Sequence, residues 1–431
     1  MQEERETIRP KENYTALRRR KNVGYALAVV VIVLVTVLVT FSLTVTYYHK
    51  GSENNRALAK KFDVISGYID KYAYFDADHK EMEDAALKAF VSSSGDRYSV
   101  YYNAEAFDAL KNSNHGLFVG IGVEYVEEPI VYDGNILTLM RVTSVHEDSP
   151  ADSVGILSGD LIYSVYTDDG EVFADDVGRD VFTSLVKGKA GTTVNISILR
   201  MKSGKYQKMN LTVERREVLV KSVSHFIEDD TGIVRISQFD LNTPMLLSES
   251  LDAIKAEGIS KIVIDMRSNG GGDLNSVIAC ASYFLEEGNL ILSSEDNEGK
   301  VLKYKASART LGGEFASCSV SKKDVGKYKD FKMAVLVNKN TASAAELLTA
   351  VFRDYKLATI VGVNTYGKGT IQTVYSFAKY GLDGGMKITT DVYFPPCGVS
   401  YDGVGIEPDV IVEYEQGSVD NQLQAAIKSI K

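Results

Sequence analysis

Histidine is scarce in this 431-residue chain and concentrated away from its carboxyl-terminal half. The five are His49, His79, His115, His146 and His225, so none falls in the last 206 positions (431 − 225). A serine–histidine–aspartate triad drawn from those last 206 positions is therefore excluded. Cysteine is scarcer still. Cys280, Cys318 and Cys397 are too few and too scattered for a disulfide scaffold or a metal cluster, and neither a metal nor a cofactor is expected. Basic side chains number 48 against 58 acidic ones, a net charge of -10. A nucleic-acid partner, whose affinity would rest on lysine and arginine neutralising phosphates, is excluded on that balance.

Long hydrophobic runs are also lacking, with one exception. From Val23 to Tyr48 no charged residue occurs in 26 positions, and Arg18, Arg19, Arg20 and Lys21 stand just before them. The run predicts a single transmembrane helix over 23–48 and a basic cytoplasmic tail over 1–22, with the rest of the chain outside the cell membrane. With 45% hydrophobic residues, the remainder has room for two or three globular units with sizeable cores.

What is present is concentrated in the stretch from Asn338 to Gln372. Met333 to Val337 reads as a short buried strand, and Ala344, Leu347, Leu348, Val351 and Tyr355 share one helix face. Ser343 falls at the strand-to-helix turn, three residues before Glu346, a spacing that fits a capping box. Its hydroxyl then lies where unpaired N–H groups and the helix dipole gather positive potential, and the Ala344 N–H can face a developing oxyanion. Lys368 lies between Gly367 and Gly369 after the apolar strand Ala358 to Val363. A lysine amine acts as a base only when neutral, and burial favours that form.

Two phosphate-binding readings fail. Gly362 and Gly367-Lys368 have the spacing of a P-loop, but Gly369 supplies no hydroxyl for magnesium, and Thr370 to Phe377 alternates like a strand where a helix is required. Gly270, Gly271 and Gly272 follow the strand Ile262 to Met266, yet Asn275 stands where a dinucleotide turn needs its third glycine.

The segments Thr341-Ala-Ser-Ala-Ala-Glu346 and Gly367-Lys-Gly-Thr-Ile-Gln372 together resemble the signatures of the carboxyl-terminal processing peptidases, tail-specific serine proteases of family S41. The resemblance implies Ser343 as nucleophile, Lys368 as general base and Gln372 as the group that positions the lysine amine. Asp265-Met-Arg-Ser-Asn-Gly-Gly-Gly272 resembles the family loop that contributes an oxyanion N–H, here from Gly271 beside that of Ala344, with Gly270 in the place of a proline. Losing that proline leaves open which of Gly270, Gly271 and Gly272 points inward. Gly95-Asp-Arg-Tyr-Ser-Val-Tyr-Tyr102 resembles a family segment with Arg97 at the usual proline, its tyrosines reading as packing. Gly403-Val-Gly-Ile-Glu-Pro-Asp409 resembles the family's closing turn.

Between the anchor and the α/β segment, residues 49–115 read as helical, with Phe62, Ile65, Ile69 and Tyr72 on one packing face. By resemblance such helices can join two protomers into a homodimer. Residues 116–214 carry short strands and tight turns and resemble a PDZ domain. The loop of Phe118, Val119, Gly120, Ile121, Gly122 and Val123 is its candidate site for a peptide's terminal carboxylate. Residues 215–431 alternate strands with helices and read as an α/β protease core.

The expectation is an α/β multidomain protein: a single-pass, extracytoplasmic serine endopeptidase that cleaves protein substrates near their carboxyl termini, its PDZ domain capturing the tail. The alternative from another class is a catalytically silent PDZ scaffold on the membrane that binds protein carboxyl termini. Whether tail capture gates cleavage or only tethers the substrate stays open.

Overall fold

The computed structural model describes residues 31–40, 55–146, 148–167, 170–313, 316–415 and 419–430. The chain forms two compact units, residues 1–86 and 87–431.

The first unit contains helices over 31–40 and 55–72 and the start of the helix His79–Ser92. Among the described residues no helix is long and apolar enough to cross a membrane. At about 1.5 Å per residue, the helix 31–40 spans roughly half of a ~30 Å hydrocarbon layer. This corrects the expected single transmembrane helix over 23–48 and, with it, the expected single-pass placement in the cell membrane. The rest of that run and the basic tail lie outside the described residues. The 55–72 helix also departs from expectation, since Phe62, Ile65 and Tyr72 are exposed and the stripe expected to pack is uncovered in the single chain.

The second unit is built on a six-stranded sheet in the order 223–228, 231–236, 261–265, 332–337, 358–362, 410–411. Its first pair is antiparallel and the rest are parallel. Strands buried on both faces read as unbroken apolar runs. Alternation assigns each residue a face: Met333, Val335 and Val337 pack with Leu251, Val277 and Leu348 from three helices on one side. Ala334 and Leu336 face the other side with Leu423 and Ala426 of the helix Asn421–Ser429. Arg267 fastens that last helix, pairing with Asp265 at 2.7 Å and with its N-cap Asp420 at 2.7 Å. A second sheet of five strands includes Thr370–Ser376, Gly385–Phe394 and the short strand Val100–Tyr102.

Residues 123–214 form a six-stranded antiparallel sheet closed by the helix Arg179–Val186, whose Phe182 is fully buried. The chain enters this β body through Leu117–Gly120 and leaves through Arg216–Leu219, which pair antiparallel as a two-stranded neck. In the Phe118 to Val123 stretch, strand geometry ends at Gly120 and the chain bends through Gly122, where φ is +83° and a Cβ would sit 2.3 Å from that of Ser149. Beyond that bend a ten-residue strand, Val123–Tyr132, begins.

Candidate active site

The strand Lys332–Val337 delivers the chain to Ser343 through a turn held from several directions. Thr341 donates its hydroxyl to the Met266 carbonyl at 2.9 Å, and the Ala342 N–H donates to the Asn269 carbonyl at 2.9 Å. Asn338 accepts from the Ser268 N–H at 2.9 Å. Two loops from neighbouring strands are thus one braced unit. Ser343 caps the helix Ala344–Asp354 with φ 56° and ψ -118°. That backbone, sparsely populated for a serine, stores on the order of 1–3 kcal/mol of strain.

Glu346 is the surprise of the site. The Ser343–Glu346 capping box forms, with the Ser343 N–H donating to Oε2 at 2.9 Å. The same fully buried carboxylate accepts from the Lys368 N–H at 2.8 Å, the Gly367 N–H at 2.6 Å and the Thr365 hydroxyl at 2.6 Å. One side chain therefore joins the serine helix to the lysine turn. Tyr393 does so a second time from the other sheet: its hydroxyl lies 2.9 Å from the Lys368 carbonyl and 3.2 Å from that of Ser343. Burial pushes the Tyr393 hydroxyl to a higher pKa and keeps it protonated. Since carbonyls only accept, the neighbouring Tyr401 hydroxyl is the donor in the Tyr393–Tyr401 bond.

The lysine turn is caged by the closing segment. Gly367 has φ 88°, and a Cβ there would lie 2.7 Å from the Gly405 nitrogen; the Gly403 N–H donates to the Gly367 carbonyl at 2.9 Å. The Gly369 N–H donates to Asp402 at 2.7 Å. Lys368 itself is half-buried, and its amine stands 4.5 Å from the centre of the Tyr98 ring. Burial is the main cause that pushes its pKa below 10.5; Lys387 and Arg97 push the same way, while Asp96 and Glu346 oppose them.

The loop expected to supply an oxyanion donor lies against the serine. A Cβ on Gly271 would fall 2.8 Å from that of Ser343 and 2.9 Å from the Ala344 nitrogen, so only glycine fits. The Gly271 N–H donates to the side chain of the buried Asn269 at 2.9 Å.

The structure thus brings Ser343, Ala344, Gly271 and the Lys368 backbone together. Among the described residues no hydrogen bond joins the Lys368 amine to Ser343 or to Gln372. The Gln372 amide donates instead to Thr370 at 3.0 Å and Thr389 at 3.2 Å. Thr389 also lies near enough to help lower the pKa of the Asp96 carboxyl, which sets Gln372 beside residues 95–102. Sequence reasoning missed Tyr98, Tyr393 and the full reach of Glu346. Each had a signal in its place within a recognisable segment, residues 95–102 for Tyr98, 389–398 for Tyr393 and 341–346 for Glu346, but none of those segments announces the contacts made.

The Phe118 to Val123 loop lies elsewhere, along a cleft of about 920 Å³ between the β body and the core. It is braced by the Ala151 N–H, which donates to the Ile121 carbonyl at 2.8 Å.

Residues 230–412 match the sequence profile of peptidase family S41. The chain carries a family S41 peptidase domain and is a serine-type peptidase. It is 29% identical over 393 residues to a "Probable CtpA-like serine protease" of Staphylococcus epidermidis, covering 90% of this chain and 73% of that protein. Against a "Carboxy-terminal-processing protease" of Bartonella bacilliformis it is 28% identical over 362 residues, covering 83% and 75%. In fold it is similar to a solved "Putative S41 protease" of Bacteroides fragilis, with a TM-score of 0.55 at 15% identity over 83% of this chain and 92% of that one.

Proposed function

We propose that this S41 peptidase is an endopeptidase that cleaves protein substrates near their carboxyl termini, with Ser343 as nucleophile and Lys368 as base. The observation that carries this reading is Glu346, whose buried carboxylate bonds the Ser343 N–H and the Lys368 N–H together. A purely structural cap would need only the first.

In the working arrangement the neutral Lys368 amine leaves the Tyr98 ring and takes the Ser343 proton as Oγ bonds the scissile carbonyl carbon. The oxyanion forms beside the Ala344 N–H, where each well-placed donor contributes about 3 kcal/mol. Gly271 is the second donor when its N–H turns from Asn269. The carbon–nitrogen bond then breaks, the lysine ammonium protonates the leaving amine, and water repeats the cycle on the acyl-enzyme. Gln372, through Thr389 and the 95–102 segment, positions the lysine.

Residues 116–214 act in this reading as a PDZ domain that captures the substrate's terminal carboxylate at Phe118 to Val123. The uncovered face of Phe62, Ile65 and Tyr72 is where a second protomer would pack. The test is proteolysis of a carboxyl-terminally tailed reporter: Ser343→Ala and Lys368→Arg should both be inactive, because guanidinium does not deprotonate in the working range. A silent scaffold predicts no cleavage by the wild type at all.

A further inference from the structure

We infer that the cleft beside the Phe118 to Val123 loop selects tails with acidic side chains just upstream of the terminal carboxylate. The inference rests on the tail-binding reading above and deepens it to a substrate class. Arg179, Lys187, Lys221 and Arg235 line the cleft, and among its described lining residues the one acidic side chain is Glu124. The balance is +3 (4 − 1), in a chain whose net charge is -10. A local excess of that sign in an acidic protein is an electrostatic feature in its own right.

The four cations come from both walls. Arg179 belongs to the helix Arg179–Val186 of the β body, and Lys187 follows it; Arg235 lies on the core strand Thr231–Ile236 and Lys221 just before the strand Val223–Glu228. All four are exposed and form no ion pair among the described residues, in contrast to Arg141, Arg200, Lys208 and Arg267, each with a carboxylate partner. Their charges are therefore not spent on internal partners. One carboxylate at a chain terminus needs one cation. A peptide lying between both walls would bring its preceding side chains within a Debye length, about 8 Å at physiological salt, of the others. Acidic side chains there gain attraction, and lysines meet repulsion, which is how charge sets specificity at an open interface.

The test is fluorescence anisotropy with the full chain carrying Ser343→Ala. Three labelled ten-residue peptides share one apolar carboxyl-terminal residue and differ in four upstream positions, filled with aspartate, serine or lysine. The aspartate peptide should bind roughly tenfold tighter than the lysine peptide at low salt, each exposed pair contributing modestly. The gap should close at high salt. Lys221→Ser with Arg235→Ser should flatten the ranking, and Lys221→Glu with Arg235→Glu should invert it. Three equal affinities that all fall on amidation would overturn the acidic preference while leaving tail capture standing. Affinities indifferent to amidation would overturn tail capture and this inference together.

Discussion

The Lys368 amine rests 4.5 Å from the centre of the Tyr98 ring, with the Arg97 guanidinium 4.6 Å from the same centre. A ring face attracts an ammonium but not a neutral amine, so Tyr98 favours the protonated form of the group proposed as the base. Tyr98→Leu keeps an apolar cover and removes that attraction, about 0.5–2 kcal/mol where measured. The acidic limb of kcat/KM should then shift to lower pH by roughly half a unit or more. Tyr98→Phe should leave it in place. An unchanged limb in the leucine variant would show that the ring does not hold the amine in solution.

Burial lowers the Lys368 pKa below 10.5, so between the folded value and 10.5 the unfolded chain binds more protons than the folded one. Stability attributable to this group therefore rises with pH through that window. Below it the burial penalty is fully present; above 10.5 it is gone. Lys368→Met should accordingly melt at a higher temperature than wild type at neutral pH, with the advantage shrinking as pH approaches 10.5. Calorimetry at several pH values checks the sign.

Glu346 accepts four hydrogen bonds through two oxygens. In Glu346→Gln one oxygen becomes an NH₂ that faces donors, so at least two buried N–H or O–H groups lose their acceptor. The expected loss is about 3 kcal/mol in urea denaturation, from stranded donors at about 1–3 kcal/mol each. Activity should fall with it, since both the Ser343 and Lys368 backbones are released. Glu346→Asp, too short to reach both, should behave similarly.

Gly271→Ala places a methyl in the space beside Ser343 and the Ala344 N–H, at a backbone with φ 99°. The rate should drop about 10²–10³-fold, the scale of losing one oxyanion donor. Gly270 has nothing within 4 Å of its Cβ position, so Gly270→Ala should stay within a few-fold of wild type. Measuring kcat for the pair separates a blocked oxyanion space from general disturbance of the loop.

Much of the core was legible because its periods are local. The run Met333 to Val337 announces a strand buried on both faces, and Leu347, Leu348 and Val351 announce the helix packed on one of them. Ser343 and Lys368 were legible as members of two spaced signatures. What the sequence concealed are relationships made only by tertiary closure. Glu346 reads as a cap because its first partner is three residues away, while its other donors lie 19, 21 and 22 residues on. Tyr393 reads as a strand tyrosine until the two sheets meet at its hydroxyl. The apolar run before residue 49 misled in the opposite direction, because composition alone set the expected length of a helix whose described part is ten residues.

The two-stranded neck has a topological consequence. Leu117 and Leu219 are paired residues on neighbouring strands, so the hundred or so residues between them begin and end at adjacent points. The β body is a cassette, and its removal leaves a gap that a tight turn can bridge without moving any core strand. If the proposed tail capture resides in that cassette, exchanging it would change which chain ends are presented while leaving the sequence of the peptidase core untouched, so substrate choice and bond cleavage could evolve as separable traits.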